Sequence, residues 1–410
     1  MSSFSCTTTV NRILLFLLIF YVFFVGILGS IGTYLFLSIA CLFLFNGYKT
    51  DYRLTWQFFP FRYCCYIILF LIIHFFLSPY KSSSFLLGTL TTFLIGVALI
   101  QKVEYEIIEK WIIIFGCVQF FFGSWYLLSF SSLLAIFQYF LPENVLTAMR
   151  EFHVDGRNTG INAQTFPLAF YLIQLLGVLF IKYRCRINLQ FVFSSLLILF
   201  VLFTTSRRGA LVFSFIGIFS CWVIVKKYSL IKMIMLGGIA LLGVFVLIEG
   251  LKIVGLNFEI FDRFDISTVN LMDYDSVNEL SSSRLSLIVH AYNFFNESPV
   301  WGKGFKFFFD AKGQDVHNTY LQLLCESGIV GAVILLSFFL YNLIKTLSII
   351  KQYHVIPKDI IYSFYGQFFF LGMCLIENPF SDRYFFLSYM IAVSLMYKRL
   401  LEKQLQPLVK

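Results

Sequence analysis

The chain has 410 residues, 59% of them hydrophobic and only 13% charged, with a formal net charge of +9. This composition lies far outside the soluble range and excludes a water-soluble globular protein. The apolar runs extend over roughly 16 to 20 residues, enough for a helix to cross hydrocarbon, whereas a membrane barrel would show alternating segments of about ten. The expected fold is therefore all-α, a polytopic integral membrane protein with 1–410 as one membrane domain.

In chain order the spans fall near 13–29, 31–46, 64–79, 84–100, 111–130, 164–181, 187–204, 209–225, 231–248, 320–345, 360–377 and 383–397, about twelve in all. Only Gly29, Ser30 and Gly32 part the first two, and the last begins beside Asp382 and Arg383. The first apolar run shows no clear small-residue cleavage site and leads straight into another span, so it reads as an uncleaved helix. Lys and Arg of short loops stay on the cytoplasmic side. Lys49, Arg53 and Arg62 thus share a side with Lys182, Arg184 and Arg186, with Lys226 and Lys227, with Lys345 and Lys351, and with Lys398 and Arg399. Both termini then lie inside, and the two longest loops, 131–163 and 249–317, face outward. The positive charge is a topology signal, and no nucleic-acid partner is expected.

The nine cysteines show no paired spacing in the outer loops, so neither a disulfide framework nor a zinc site is indicated. There is no Walker loop and no dinucleotide fingerprint. No cofactor and no metal is expected.

Three constellations on the outer side carry possible chemistry. In Thr204-Thr205-Ser206-Arg207-Arg208-Gly209-Ala210 two arginines occupy a short outer connection, where positive charge is normally avoided. They either snorkel to membrane-lipid phosphates or form a phosphate clamp, for which a guanidinium offers planar, bidentate donors. In the 249–317 loop, Arg284 opens an apolar-periodic stretch, Leu285, Ile288, Val289 and Tyr292, suited to an amphipathic helix on the membrane surface. Pro299, Gly302 and Gly304 mark a turn that could bring backbone close to a substrate. Asp273-Tyr274-Asp275 reads as a solvated acidic face rather than a metal pair, and His290 as a structural histidine. The third constellation is His317-Asn318-Thr319-Tyr320-Leu321 running on to Glu326-Ser327-Gly328-Ile329-Val330-Gly331. Helical phase separates His317 from Glu326 but aligns Thr319, Gln322 and Glu326, so Glu326 reads as a polar support inside the bundle. Gly328 and Gly331 allow close packing or a bend.

The order and spacing of these pieces resemble the O-antigen ligase and polymerase superfamily of bacterial membrane glycosyltransferases. The resemblance rests on Ser206-Arg207-Arg208-Gly209-Ala210, the outer loop with Arg284, Pro299 to Gly304, the His317 segment, and Glu326 to Gly331. It implies a GT-C-like inner-membrane enzyme with a periplasmic site. A glycan on undecaprenyl diphosphate would pass to a sugar hydroxyl, without metal or nucleotide and with inversion. Within it, His317 is the candidate general base, and Arg207 and Arg284 stabilise the leaving diphosphate, Arg207 taking the family position directly after Ser206. Arg157, in Gly156-Arg157-Asn158-Thr159-Gly160, resembles a polymerase loop arginine; with Arg208, Asn318, Gly302 and Gly304 it completes the substrate-binding candidates. A polymerase, whose acceptor is a lipid-linked repeat unit and whose partners could include a chain-length regulator, is preferred. The alternatives are a ligase acting on lipid A-core and, from another class, a polysaccharide flippase. A flippase should carry mid-membrane charges and internal repeats; here the arginines cluster at outer helix ends and no convincing repeat stands out.

Overall fold

The computed structural model describes residues 2–45, 59–228, 232 and 284–405. Fourteen α-helices and no strand occur among them, which is the expected all-α class. Five of these helices, at Ser83–Ile100, Tyr105–Leu128, Thr165–Lys182, Arg208–Lys226 and Thr319–Ile350, are long and apolar enough to cross a membrane. Shorter apolar helices run over Thr9–Phe24, Arg62–Leu77 and Leu189–Phe203. The expected span at 231–248 and most of the 249–317 loop, including Asp273 and Asp275, lie outside the described residues.

Two expectations change. Ser2–Phe45 is one continuous helix, so no turn forms at Gly29, Ser30 and Gly32. A glycine inside a helix costs only about 1 kcal/mol, less than the backbone hydrogen bonds a turn would leave open in hydrocarbon. The expected spans at 360–377 and 383–397 become the helices Lys358–Met373, of 16 residues, and Arg383–Leu405, which are not among the five that are long and apolar enough to cross. Their residues are largely interior, and polar side chains among them are used there.

By its contacts the chain divides into two compact units. The first comprises 1–22, 33–107 and 270–410. In it, Arg383–Leu405 packs on Lys358–Met373 and on the helix Ser83–Lys102, while Thr319–Ile350 packs on Lys358–Met373 and on Arg284–Glu297. Between apolar helices hydrophobic burial does not drive association, so close packing and interhelical hydrogen bonds must hold them. Both are present. Asn342 Nδ2 donates to the Tyr389 hydroxyl (3.0 Å), and the Tyr397 hydroxyl donates to Asn342. Gln367 Nε2 donates to Thr346 Oγ1 (2.7 Å) and Ser363 Oγ (2.9 Å). Phe339, Phe370, Phe386 and Tyr389 fill the space around this ladder with mutually contacting rings.

The second unit comprises 23–32 and 108–269. Thr165–Lys182 is buried along almost its whole length and packs against Leu189–Phe203 and Arg208–Lys226. The stretch expected as the first large outer loop, 131–163, is mostly helical. Phe130–Phe137 and Glu143–Val154 enclose a small core of Tyr126, Leu133, Leu146 and Met149, and His153 stacks on Phe130 with ring centroids 3.8 Å apart.

Candidate functional site

Two glycine motifs that are separate in the sequence form one piece of architecture in the first unit. The helix Thr319–Ile350 breaks at Gly328, whose φ of 63° and ψ of −172° are not helical. Of the two roles open to this glycine, the structure shows the bend. The segment Pro299–Gly304 lies across the break and replaces the hydrogen bonds lost there. Upstream, the Lys303 and Gly304 N–H groups donate to the carbonyls of Cys325 (3.0 Å) and Glu326 (2.8 Å). Downstream, the Ile329 and Val330 N–H groups donate to the carbonyls of Pro299 (2.8 Å) and Val300 (3.3 Å). A Cβ on Gly302 would strike the Glu326 backbone, and one on Gly328 the Val300 carbonyl. Gly304 similarly lies against the Tyr80 carbonyl. These glycines therefore let two backbones touch. The fully buried His74 closes the loop's other side, donating from Nε2 to the Trp301 carbonyl (2.8 Å).

This lock sets the start of the broken helix, and His317 stands at its mouth. His317 has a left-handed φ of 56°, a region that histidine enters more readily than most residues. Asn318 caps the helix, its Oδ1 accepting from the Leu321 N–H (3.0 Å) while its Nδ2 donates to the Leu375 carbonyl (3.1 Å). The Thr319 N–H donates to the Cys374 carbonyl (2.8 Å), and its hydroxyl to the Glu377 carbonyl (3.0 Å). The helix mouth is thus laced to the segment 374–378.

That lacing brings Glu377 to His317. Glu377 Oε2 lies 2.8 Å from His317 Nδ1, and Glu377 Oε1 accepts from Arg284 Nη2 at 3.3 Å. Arg284 Nη1 also donates to the Ile376 carbonyl (3.1 Å). Arg284 and His317 therefore meet on one carboxylate. A carboxylate only accepts, so the neutral ring carries its proton on Nδ1 and keeps the Nε2 lone pair for a substrate proton. Arg284 starts the helix Arg284–Glu297, whose buried face is Leu287 and Ala291, packed with Phe308, Val316 and Cys325. Of the predicted membrane-facing positions, Ile288, Val289 and Tyr292 are exposed and Leu285 is half-buried.

Glu326 is buried and makes separate contacts. Its Oε1 accepts from Gln322 Nε2 (3.0 Å) and from the Phe308 N–H (3.4 Å). Gln322 Nε2 also donates to Asp315 Oδ1 (2.8 Å), which lies 3.5 Å from Lys306 Nζ and accepts from Asn378 Nδ2 (3.4 Å). A polar network thus runs beneath the helix mouth from Glu326 to Asn378, beside Glu377.

The remaining arginines belong to the second unit. Ser206 is left-handed (φ 55°) and Arg207 is the N-cap of the helix that begins at Arg208. Arg207 Nε donates to Thr165 Oγ1 (2.7 Å), and its guanidinium lies 5.7 Å from the Phe166 ring centre. The Arg157 loop is tied to this turn by Asn158, whose N–H donates to the Thr204 carbonyl (2.9 Å) and whose Nδ2 donates to Thr204 Oγ1 (3.0 Å). The Arg157 carbonyl accepts from the Tyr126 hydroxyl (3.0 Å). Within their own units, then, Arg157 and Arg207 are neighbours by backbone, and Arg284 and His317 by side chain.

Glu377 and His74 were not singled out from the sequence. The signal for Glu377 was a lone carboxylate at the end of an apolar run; for His74 it was a histidine inside such a run. Among the described residues no group of three or more His, Cys, Asp and Glu is placed to hold a metal ion.

The chain has no significant match among curated proteins. Residues 192–336 match the family model described as O-antigen ligase. The match covers about a third of the chain and includes Arg207, Arg284, His317 and Glu326, beginning after Arg157 and ending before Glu377. With it, the resemblance read from the motifs is supported by an independent comparison: residues 192–336 are similar to the O-antigen ligase family model.

Proposed function

We propose that this chain is an inner-membrane glycosyltransferase that moves a glycan from undecaprenyl diphosphate to a sugar hydroxyl on the periplasmic side. The proposed topology is polytopic, with the basic C-terminal end cytoplasmic. The observation that carries the reading is the pairing of His317 Nδ1 with Glu377 at 2.8 Å, which leaves Nε2 to act as a base. In the reaction, His317 Nε2 takes the acceptor hydroxyl proton as that oxygen bonds to the anomeric carbon. The bond from this carbon to the diphosphate oxygen breaks, and its electron pair leaves with the diphosphate. Attack opposite the leaving group inverts the anomeric centre. Arg207 and Arg284 stabilise the charge that builds on the diphosphate, so the step needs no metal. Arg157, Arg208 and Asn318 contribute to substrate binding, while Gly302 and Gly304, through their backbone contacts, and Glu326 support the helix mouth.

The Arg157 loop favours a polymerase, which joins lipid-linked repeat units and can work with a chain-length regulator. The family description favours a ligase acting on lipid A-core as the second reading. Deleting the gene separates them: core bearing a single repeat unit marks a lost polymerase, bare core with accumulated lipid-linked polymer a lost ligase. The chemistry is tested by reconstituting the purified chain with lipid-linked glycan and acceptor. His317→Ala should lower transfer by about 10²–10⁴-fold while donor binding persists, and full activity would remove His317 as the base.

A further inference from the structure

The unit that carries His317 also contains a cavity of about 460 Å³, within the roughly 300–1,000 Å³ of small-ligand sites. Its lining includes Lys81, Lys306 and Arg383 against a single carboxylate, Asp310. The cations are placed by structure. Arg383 Nη2 donates to the Ser84 carbonyl (3.3 Å), and a Cβ on Gly88 would come within 2.6 Å of Arg383 Nε, so this glycine clears the space the guanidinium occupies. Lys306 is left-handed (φ 69°), pairs with Asp315 at 3.5 Å and lies 5.1 Å from the Phe309 ring centre. The Phe380–Ser381 wall is held by Asn378, whose Nδ2 donates to Ser381 Oγ (2.7 Å) and whose Oδ1 accepts from the Thr319 hydroxyl (3.1 Å). Asn378 follows Glu377 directly, so the cavity and the His317 corner share a structural element.

We propose that this cavity is an acidic-sugar subsite, holding a carboxylate or phosphate borne on a sugar of the glycan that reacts at His317. One guanidinium and two lysines line the cavity against one lining carboxylate, a balance that favours an oxyanion. Phe85, Phe309 and Phe380 line the cavity together with Ser82 to Ser84, and this mixture of apolar surface and hydroxyls suits a sugar, which has both C–H faces and hydroxyls. The inference rests on the glycosyl-transfer reading and deepens it by naming an acidic glycan as substrate.

The test uses the full chain in lipid nanodiscs, with binding measured by saturation-transfer NMR and titration. The probes are an oligogalacturonate, glucose 6-phosphate, a neutral oligosaccharide of equal length and farnesyl diphosphate. At least one acidic sugar should bind in preference to the neutral one. Arg383→Gln and, at an exposed position that tolerates change, Lys81→Gln should each weaken that binding about tenfold or more, the order for one charge-assisted contact. His317→Ala should bind it normally. Equal binding of acidic and neutral sugars, unchanged affinity in both variants, or losses confined to farnesyl diphosphate would overturn the subsite. Failure of the parent reading looks different: transfer then persists in His317→Ala, whatever Arg383→Gln does to acidic-sugar binding.

Discussion

The two groups of candidate residues are held in different ways, although each sits at the start of a helix. In both places a left-handed residue stands two positions before the first helical one: His317 before Thr319 and Ser206 before Arg208. At the first, the titratable side chain is itself the left-handed residue, and a carboxylate from a distant segment fixes it. At the second, the left-handed residue is a serine, and the guanidinium of the next residue is steadied by the Thr165 hydroxyl and the Phe166 ring. The difference suits the roles proposed for these residues. A base needs a defined tautomer, which an accepting carboxylate supplies. For the diphosphate contact proposed for Arg207, the guanidinium fork must be oriented, and the Thr165 hydroxyl and the Phe166 ring both bear on it.

The comparison can be broken experimentally. The largest effect is expected at Glu377: Glu377→Ala removes the acceptor that orients His317 and Arg284, and turnover should fall on the order of 10²–10⁴-fold with donor KM little changed. Turnover within a factor of about two of the parent would mean that the carboxylate orients nothing that matters. Next comes Arg207→Lys, which keeps the charge but loses the fork; steady-state kinetics should show kcat reduced by roughly 10²–10³-fold, and an unaltered rate would argue against bidentate recognition. Gly328→Ala acts on the lock that sets the His317 helix. It should cost about 1–3 kcal/mol and lower the melting temperature of the detergent-solubilised protein, because a side chain there strikes the Val300 carbonyl and strains a positive φ. Unchanged melting would show that the loop yields freely. The smallest expected effect is none: a chelator should leave transfer intact, and a loss restored by added metal would sink the metal-free mechanism.

The sequence made some of this legible and hid the rest for physical reasons. His317, Arg284 and Arg207 stand out because charged or titratable groups at the ends of apolar runs are costly to place. Glu377 obeys the same rule, yet it is 60 residues from His317 and looked like the last residue of a span. Thr319, Gln322 and Glu326 align by helical phase, but the link from Gln322 through Asp315 to Asn378 joins separate segments. Pro299–Gly304 and Glu326–Gly331 read as two motifs with independent purposes, whereas they are two halves of one backbone contact.

By itself the sequence determined the all-α class and the candidate residue types, because the length and apolarity of runs and the cost of burying charge are local properties. It did not decide whether Gly29 to Gly32 would turn or stay helical, nor which carboxylate would meet His317. Those outcomes depended on which backbones approach closely and which donors are left without water, and only the packed helices decided them.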